Sequence, residues 1–180
     1  TTTSGTWHDS YPYNAISSFA LHPLYISPGE VVKSCSRYAD PATRQMLREI
    51  LEKYSVQGAR LNKEPQLNYE ASYRLKQRFL REIYALCGEK ILASRGFIRF
   101  YKQSQEWLLP YAVFCTLRDK HSAEKQKWGE LENYDPSLAT QYAQHKAKRV
   151  GYYYFVQYML DAQLTDVRNY AHSKGVTLKG

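Results

Sequence analysis

Pro12, Pro23 and Pro28 deny about the first 30 residues of this chain a continuous helix, because each fixes its own φ and removes a backbone donor. That stretch reads as a long loop, with a short strand expected near Leu24-Tyr25-Ile26. From Asp40 onward the pattern changes. Asp40-Pro41 is an N-cap followed by proline in a first helical turn, and Met46, Leu47, Ile50, Leu51 and Tyr54 then recur at three- and four-residue steps. This predicts an amphipathic helix ending near Ser55, with a polar connection over residues 58–65. A longer helix follows, with Tyr69, Tyr73, Leu80, Ile83, Tyr84 and Cys87 on one face and Arg74, Gln77, Arg78 and Arg81 on the other, stopping near Gly88. Residues 96–105 read as helical. Pro110 is expected to start or kink the helix around Trp107 to Arg118. Residues 121–135 are polar, with Trp128 as an isolated anchor, before a second cap-plus-proline start at Asp135-Pro136. The last helix runs through Tyr153, Val156, Leu160, Leu164, Val167 and Ala171 to a glycine stop at Lys174-Gly175, and Val176-Thr177-Leu178 restarts as a strand. The order fits either an all-helical domain or the part of a larger barrel in which helices fill the gap between two strands.

Within the opening loop, Asp9 to Tyr25 reads D-S-Y-P-Y-N-A-I-S-S-F-A-L-H-P-L-Y. Tyr11 and Tyr13 flank Pro12, which pushes Tyr11 out of the helical region and holds two large rings on a stiff turn. A rigid aromatic loop suits a ligand with apolar ring faces and hydroxyl edges, such as a sugar. A packed loop that buries its tyrosines is the competing reading.

At 180 residues the chain has the size of one domain, and 17 tyrosines favour an ordered protein. No apolar run reaches membrane-spanning length, so no membrane partner is expected. Thr1-Thr2-Thr3-Ser4-Gly5 has neither a basic n-region nor an apolar h-region, and it reads as a cut inside a longer protein. Cys35, Cys87 and Cys115 are far apart and lack metal-ligand spacing, which points to reduced thiols and a cytoplasmic location. The net charge of +8 comes from Lys and Arg interleaved with Glu, as in Arg44/Arg48/Glu49/Glu52/Lys53, so these are solvated helix faces and no nucleic-acid partner is expected.

Four runs, in order, carry a resemblance: the segment from Asp9 to Tyr25; W-L-L-P-Y-A-V-F-C-T-L-R-D from Trp107 to Asp119; Y-F-V-Q-Y-M-L-D-A-Q-L from Tyr154 to Leu164; and Y-A-H-S-K-G-V-T-L-K-G from Tyr170 to Gly180. Together they resemble the 4-alpha-glucanotransferases of glycoside hydrolase family 77. The A-L-H-P-L-Y ending of the first run most resembles the plant-type disproportionating branch.

The resemblance implies a (β/α)8 barrel with inserted helical subdomains. Residues 1–30 would be a substrate loop of that barrel, 31–175 a helical subdomain with barrel-associated helices, and 176–180 the start of the next strand. It also implies transfer of glucosyl or maltooligosaccharyl units between α-1,4-glucans with retention, from a maltose or maltodextrin donor to a glycogen-like acceptor. That chemistry uses two carboxylates about 5 Å apart and no metal or cofactor. The family's carboxylates fall in motifs past Gly180, so this chain is expected to hold no catalytic residue and to be inactive alone. Tyr13 matches the tyrosine that lines the subsite next to the nucleophile, with Asp9 and Ser10 before it and Tyr11 inserted between serine and proline. Trp7 and Tyr73 fall where amylomaltases place aromatics of an outer glucan groove, although Tyr73 also fits a core ring on its helix face. His22 stands where amylomaltases carry asparagine; it could bond a substrate hydroxyl or be a buried histidine satisfied by backbone.

Two functions of different class follow. One is the substrate-loop and helical part of a glucanotransferase. The other is a non-catalytic helical module that binds glucan, another protein or a polyanion.

Overall fold

The computed structural model describes residues 15–121 and 128–178. Among them the chain is mainly helical, and no strand forms. The helices are α1 (Pro28–Ser36), α2 (Pro41–Leu61), α3 (Tyr69–Leu92), α4 (Arg95–His121), α5 (Pro136–His145) and α6 (Ala147–Ser173), with short 3₁₀ turns at Pro23–Tyr25 and Gly129–Leu131.

Most helix starts follow the capping chemistry in the sequence. Asp40 Oδ1 accepts from the Thr43 amide at 2.8 Å and Asp135 Oδ1 from Leu138 at 2.8 Å, each with proline next in line. Asn68 and Ser94 do the same for α3 and α4, accepting from Ala71 at 3.1 Å and Phe97 at 3.2 Å. At the far end Gly175 takes the left-handed conformation, φ 76°, that closes α6.

Several expectations are corrected. The strand expected at Leu24–Ile26 is a 3₁₀ turn: proline at its first position presets the helical φ, and the Ile26 amide bonds back to the Pro23 carbonyl. The opening loop ends earlier than expected, since α1 begins at Pro28. Helix α2 continues to Leu61, through Gly58, because an isolated glycine costs a helix only about 1 kcal/mol. Helix α3 likewise passes Gly88. Residues 95–121 are one helix with Pro110 inside it, so the Glu106 carbonyl lacks the usual amide partner while flanking turns continue. In contrast, the stretch after Asp135 divides into α5 and α6 at Lys146, whose backbone leaves the helical region. Residues 176–178 are exposed and form no strand, and the Val176 amide donates back to the Ala171 carbonyl at 2.9 Å.

The chain divides into two compact units, Thr1–Cys87 with Val156–Gly180, and Gly88–Phe155. The first buries Ile26, Val31, Leu47, Phe79, Leu80 and Ile83. Here α1 packs on α2. The second is built around Ala112, Val113, Leu117, Ala139 and Val150, with Trp128, Tyr142 and Tyr153 packed against them. Trp128 meets Phe114 edge-on at 5.2 Å, as the isolated anchor that its sequence position predicts.

Among the described residues no helix is long and apolar enough to cross a membrane, and no His/Cys/Asp/Glu group is arranged to hold a metal. All three cysteines are buried and reduced. A hydrogen bond with Cys87, reinforced by burial, pushes the Cys35 thiol up, and burial raises Cys115 to about 12. None of the resolved thiol shifts favours a nucleophilic thiolate near neutral pH.

Candidate functional site

Trp7, Asp9, Ser10 and Tyr13 lie outside the described residues. What the structure does describe is the seat of the same loop, residues 15–27. This segment has no helical or strand ladder apart from its 3₁₀ turn, yet Ala20, His22, Pro23 and Ile26 are buried. Buried backbone amides and carbonyls require partners. Side chains from elsewhere in the same unit supply them.

Two glutamines of α6 act as brackets. Gln157 Oε1 accepts from the Leu21 amide at 2.8 Å while its Nε2 donates to the Leu21 carbonyl at 2.9 Å. Six residues on, Gln163 repeats the arrangement with Ser27, at 2.8 and 3.2 Å. A carboxamide carries an acceptor and a donor side by side, so it can meet both polar groups of one residue as a facing strand would. Gln157 is 1% exposed. Removing its amide would leave two backbone groups unmet, at about 1–3 kcal/mol each.

From α3 comes Lys76, whose ammonium donates to the Leu24 carbonyl and, at 2.9 Å, to that of Ile26. Burial pulls its pKa below the usual lysine range. The Tyr25 and Ile26 amides close the turn on the His22 and Pro23 carbonyls. Thus Leu21, Leu24, Ile26 and Ser27 are all held through their main chains.

His22 is 5% exposed, and both of its ring nitrogens are engaged. Nδ1 accepts from the Leu24 amide at 3.0 Å, and Nε2 lies 2.8 Å from the Tyr69 hydroxyl. An accepting Nδ1 leaves the proton of the neutral ring on Nε2, which therefore donates to Tyr69. Burial lowers the His22 pKa to about 4, so the neutral tautomer holds at physiological pH. Tyr73 lies one turn along α3 from Tyr69, and their rings are parallel at 6.5 Å. The Tyr73 ring is 5.6 Å from His22. The structure therefore brings His22 and Tyr73 together, with Tyr69 as the group that connects them.

An open cleft of about 690 Å³ borders this seat, lined by Leu21, Tyr25, Leu160, Leu164, Val167 and Tyr170. Tyr25 is 82% exposed and Tyr170 67%. Its polar margin includes Ser27, Glu30, Lys33 and Asp166, of which Lys33 and Glu30 pair at 3.1 Å.

Sequence reading singled out His22 and Tyr73 but not Tyr69, Lys76, Gln157 or Gln163 as parts of this seat. One signal was present. Gln157 stands on the stripe Tyr153, Gln157, Leu160, Leu164, where an amide at a helical apolar position marks a buried polar contact.

The sequence profile of glycoside hydrolase family 77, 4-alpha-glucanotransferase, matches residues 1–180. Among curated proteins, the chain is 36% identical over 186 residues to the 4-alpha-glucanotransferase DPE2 of rice (Oryza sativa subsp. japonica), covering 100% of this chain and 18% of that protein. It is 30% identical over 174 residues to a 4-alpha-glucanotransferase of Chlamydia muridarum, covering 95% of this chain and 31% of the relative. With the Clostridium butyricum 4-alpha-glucanotransferase it shares 24% identity, over 97% of this chain and 33% of that protein. The chain thus spans about a fifth to a third of the length of these relatives. No solved structure matches it significantly.

Proposed function

The chain belongs to glycoside hydrolase family 77, and from that premise we propose that it is the substrate-loop and helical segment of a 4-alpha-glucanotransferase. The observation that carries this reading is the match of the family profile over all 180 residues. In the intact protein the segment lies between elements of a (β/α)8 barrel, with the residues before α1 serving as a substrate loop and those from Pro28 to 175 as the helical subdomain. The reaction passes a glucosyl or maltooligosaccharyl unit from maltose or a maltodextrin to the 4-hydroxyl of a glycogen-like acceptor.

Retention requires a carboxylate nucleophile and an acid/base about 5 Å apart, with a covalent glycosyl-enzyme between the two half-reactions. Parts of the protein outside this chain supply both carboxylates. This segment supplies sugar contacts. The Tyr13 ring stacks on the sugar next to the nucleophile and its hydroxyl donates a hydrogen bond, with Asp9 and Ser10 alongside. Trp7 and Tyr73 extend the grip to outer glucose units. His22, engaged at both nitrogens, is the strut behind the loop.

The test is transfer by the intact protein from maltose to glycogen, followed as glucose release. The intact protein is expected to release glucose and this 180-residue chain alone to release none. Tyr13→Ala in the intact protein should lower turnover far more than it lowers stability. Release by the isolated chain, or an unchanged rate in the Tyr13 variant, would overturn these assignments.

A further inference from the structure

The loop seat contains a device that the glucan chemistry does not itself require. Gln157 and Gln163 stand six residues apart on α6, and they bracket Leu21 and Ser27, which are also six residues apart. Six helical residues rise about 9 Å along the axis, whereas six extended residues would span about 20 Å. The turn at Pro23–Tyr25 contracts the segment, so that both ends meet carboxamides on one helix. The match fixes where the segment lies along α6 as well as its presence there.

Neither glutamine touches a titratable partner through these bonds; both spend donor and acceptor on backbone alone. Apolar residues at 157 and 163 would fill similar space but would leave the segment free to shift along the helix.

We propose that Gln157 and Gln163 are positioning residues, whose paired amide brackets set the register of residues 21–27 along α6 and so the seat from which the substrate loop meets the glucan. This rests on the reading of that loop given above. It assigns the two glutamines no contact with sugar and no part in proton transfer.

The experiment uses the intact protein with maltose and glycogen. Gln163→Leu removes the bracket at a half-buried position, and Gln157→Leu removes it at the buried one. Each should raise KM for maltose about tenfold, in line with the sensitivity of such reactions to small misplacements. The Gln163 variant should keep its thermal midpoint within a few degrees, and amide exchange at Leu21 or Ser27 should quicken in the matching variant. Gln163→Glu keeps the acceptor for the Ser27 amide and loses the donor, so its KM should fall between wild type and Gln163→Leu. If Gln157→Leu does not fold, the Gln163 pair decides. Wild-type KM in a folded Gln163→Leu whose Ser27 amide exchanges faster would reduce the brackets to scaffolding and overturn the proposal. Absence of transfer in the wild-type protein would instead defeat the reading of function, leaving the exchange result to report on the brackets alone.

Discussion

The two units of this chain solve burial in different ways. In the unit Gly88–Phe155, helices meet through apolar and aromatic side chains. Tyr101 and Phe97 pack on Tyr154, Tyr111 meets Tyr153 edge-on, and the Tyr153 hydroxyl donates to Asp119. The other unit buries a stretch of irregular backbone and therefore needs His22, Lys76, Gln157 and Gln163 to pair with it. Apolar packing resists a change in volume but tolerates small slides. Directed amide and ammonium contacts resist slides. The difference assigns structural mass to one unit and positional accuracy to the other.

The largest effect should be blind to this distinction. Phe79 in one unit and Phe155 in the other are each at most 1% exposed. Truncating either to alanine should cost about 3–5 kcal/mol through lost transfer energy and residual cavity. Urea unfolding of the intact protein measures this. Transfer kinetics of the folded fraction should stay near wild type for Phe155→Ala, and a selective rise in KM there would break the comparison.

A second effect belongs to the loop seat alone. The His22 pKa is lowered by burial from 6.5 to about 4, so the unfolded chain takes up the proton first. The stability that neutral His22 contributes is complete above pH 6.5 and is lost as pH falls toward 4, reaching about 3 kcal/mol. Protonation also places a hydrogen on Nδ1, where the Leu24 amide now donates. His22→Gln keeps an acceptor and removes the titration. The difference between wild type and this variant in unfolding free energy, taken at pH 7 and pH 4, isolates the residue from the carboxylates that titrate in both. Parallel losses in the two proteins would place the acid sensitivity elsewhere.

Much of this fold was legible in the chain because its signals are local. Asp40-Pro41 and Asp135-Pro136 start helices where the caps predict, and Lys174-Gly175 stops one. Failures came where local signals have two outcomes. Pro110 lies within a long helix because one lost amide bond is offset by burial of Leu108, Tyr111, Ala112 and Val113 around it. Leu24-Tyr25-Ile26 looks like a strand by composition, but Pro23 and the partners from α3 and α6 turn it. Those partners are up to 136 residues away in sequence, and no pattern within the loop encodes them. Only the amide at 157, out of place on an apolar stripe, hinted that something polar lay beneath.

The smallest effect sharpens the contrast from the solvent side of the same unit. Glu82 accepts from Lys53 at 2.8 Å and from the Tyr54 hydroxyl at 2.7 Å, and Lys53 lies 5.0 Å from the Tyr54 ring center. The Lys53 contact holds the Glu82 carboxyl below its ordinary value, so its contribution is present at neutral pH and fades as pH falls below about 4.5. Polar pairing here is as dense as in the loop seat, but water competes: the side chains are 54% and 39% exposed. A double-mutant cycle with Lys53→Met and Glu82→Gln should give a coupling of about 0.2–1 kcal/mol that shrinks in high salt. The maltose KM should not change in any member of the cycle. A polar cluster without buried backbone to hold would then cost stability slightly and positioning not at all, whereas a raised KM would show that accuracy in this unit is spread beyond the loop seat.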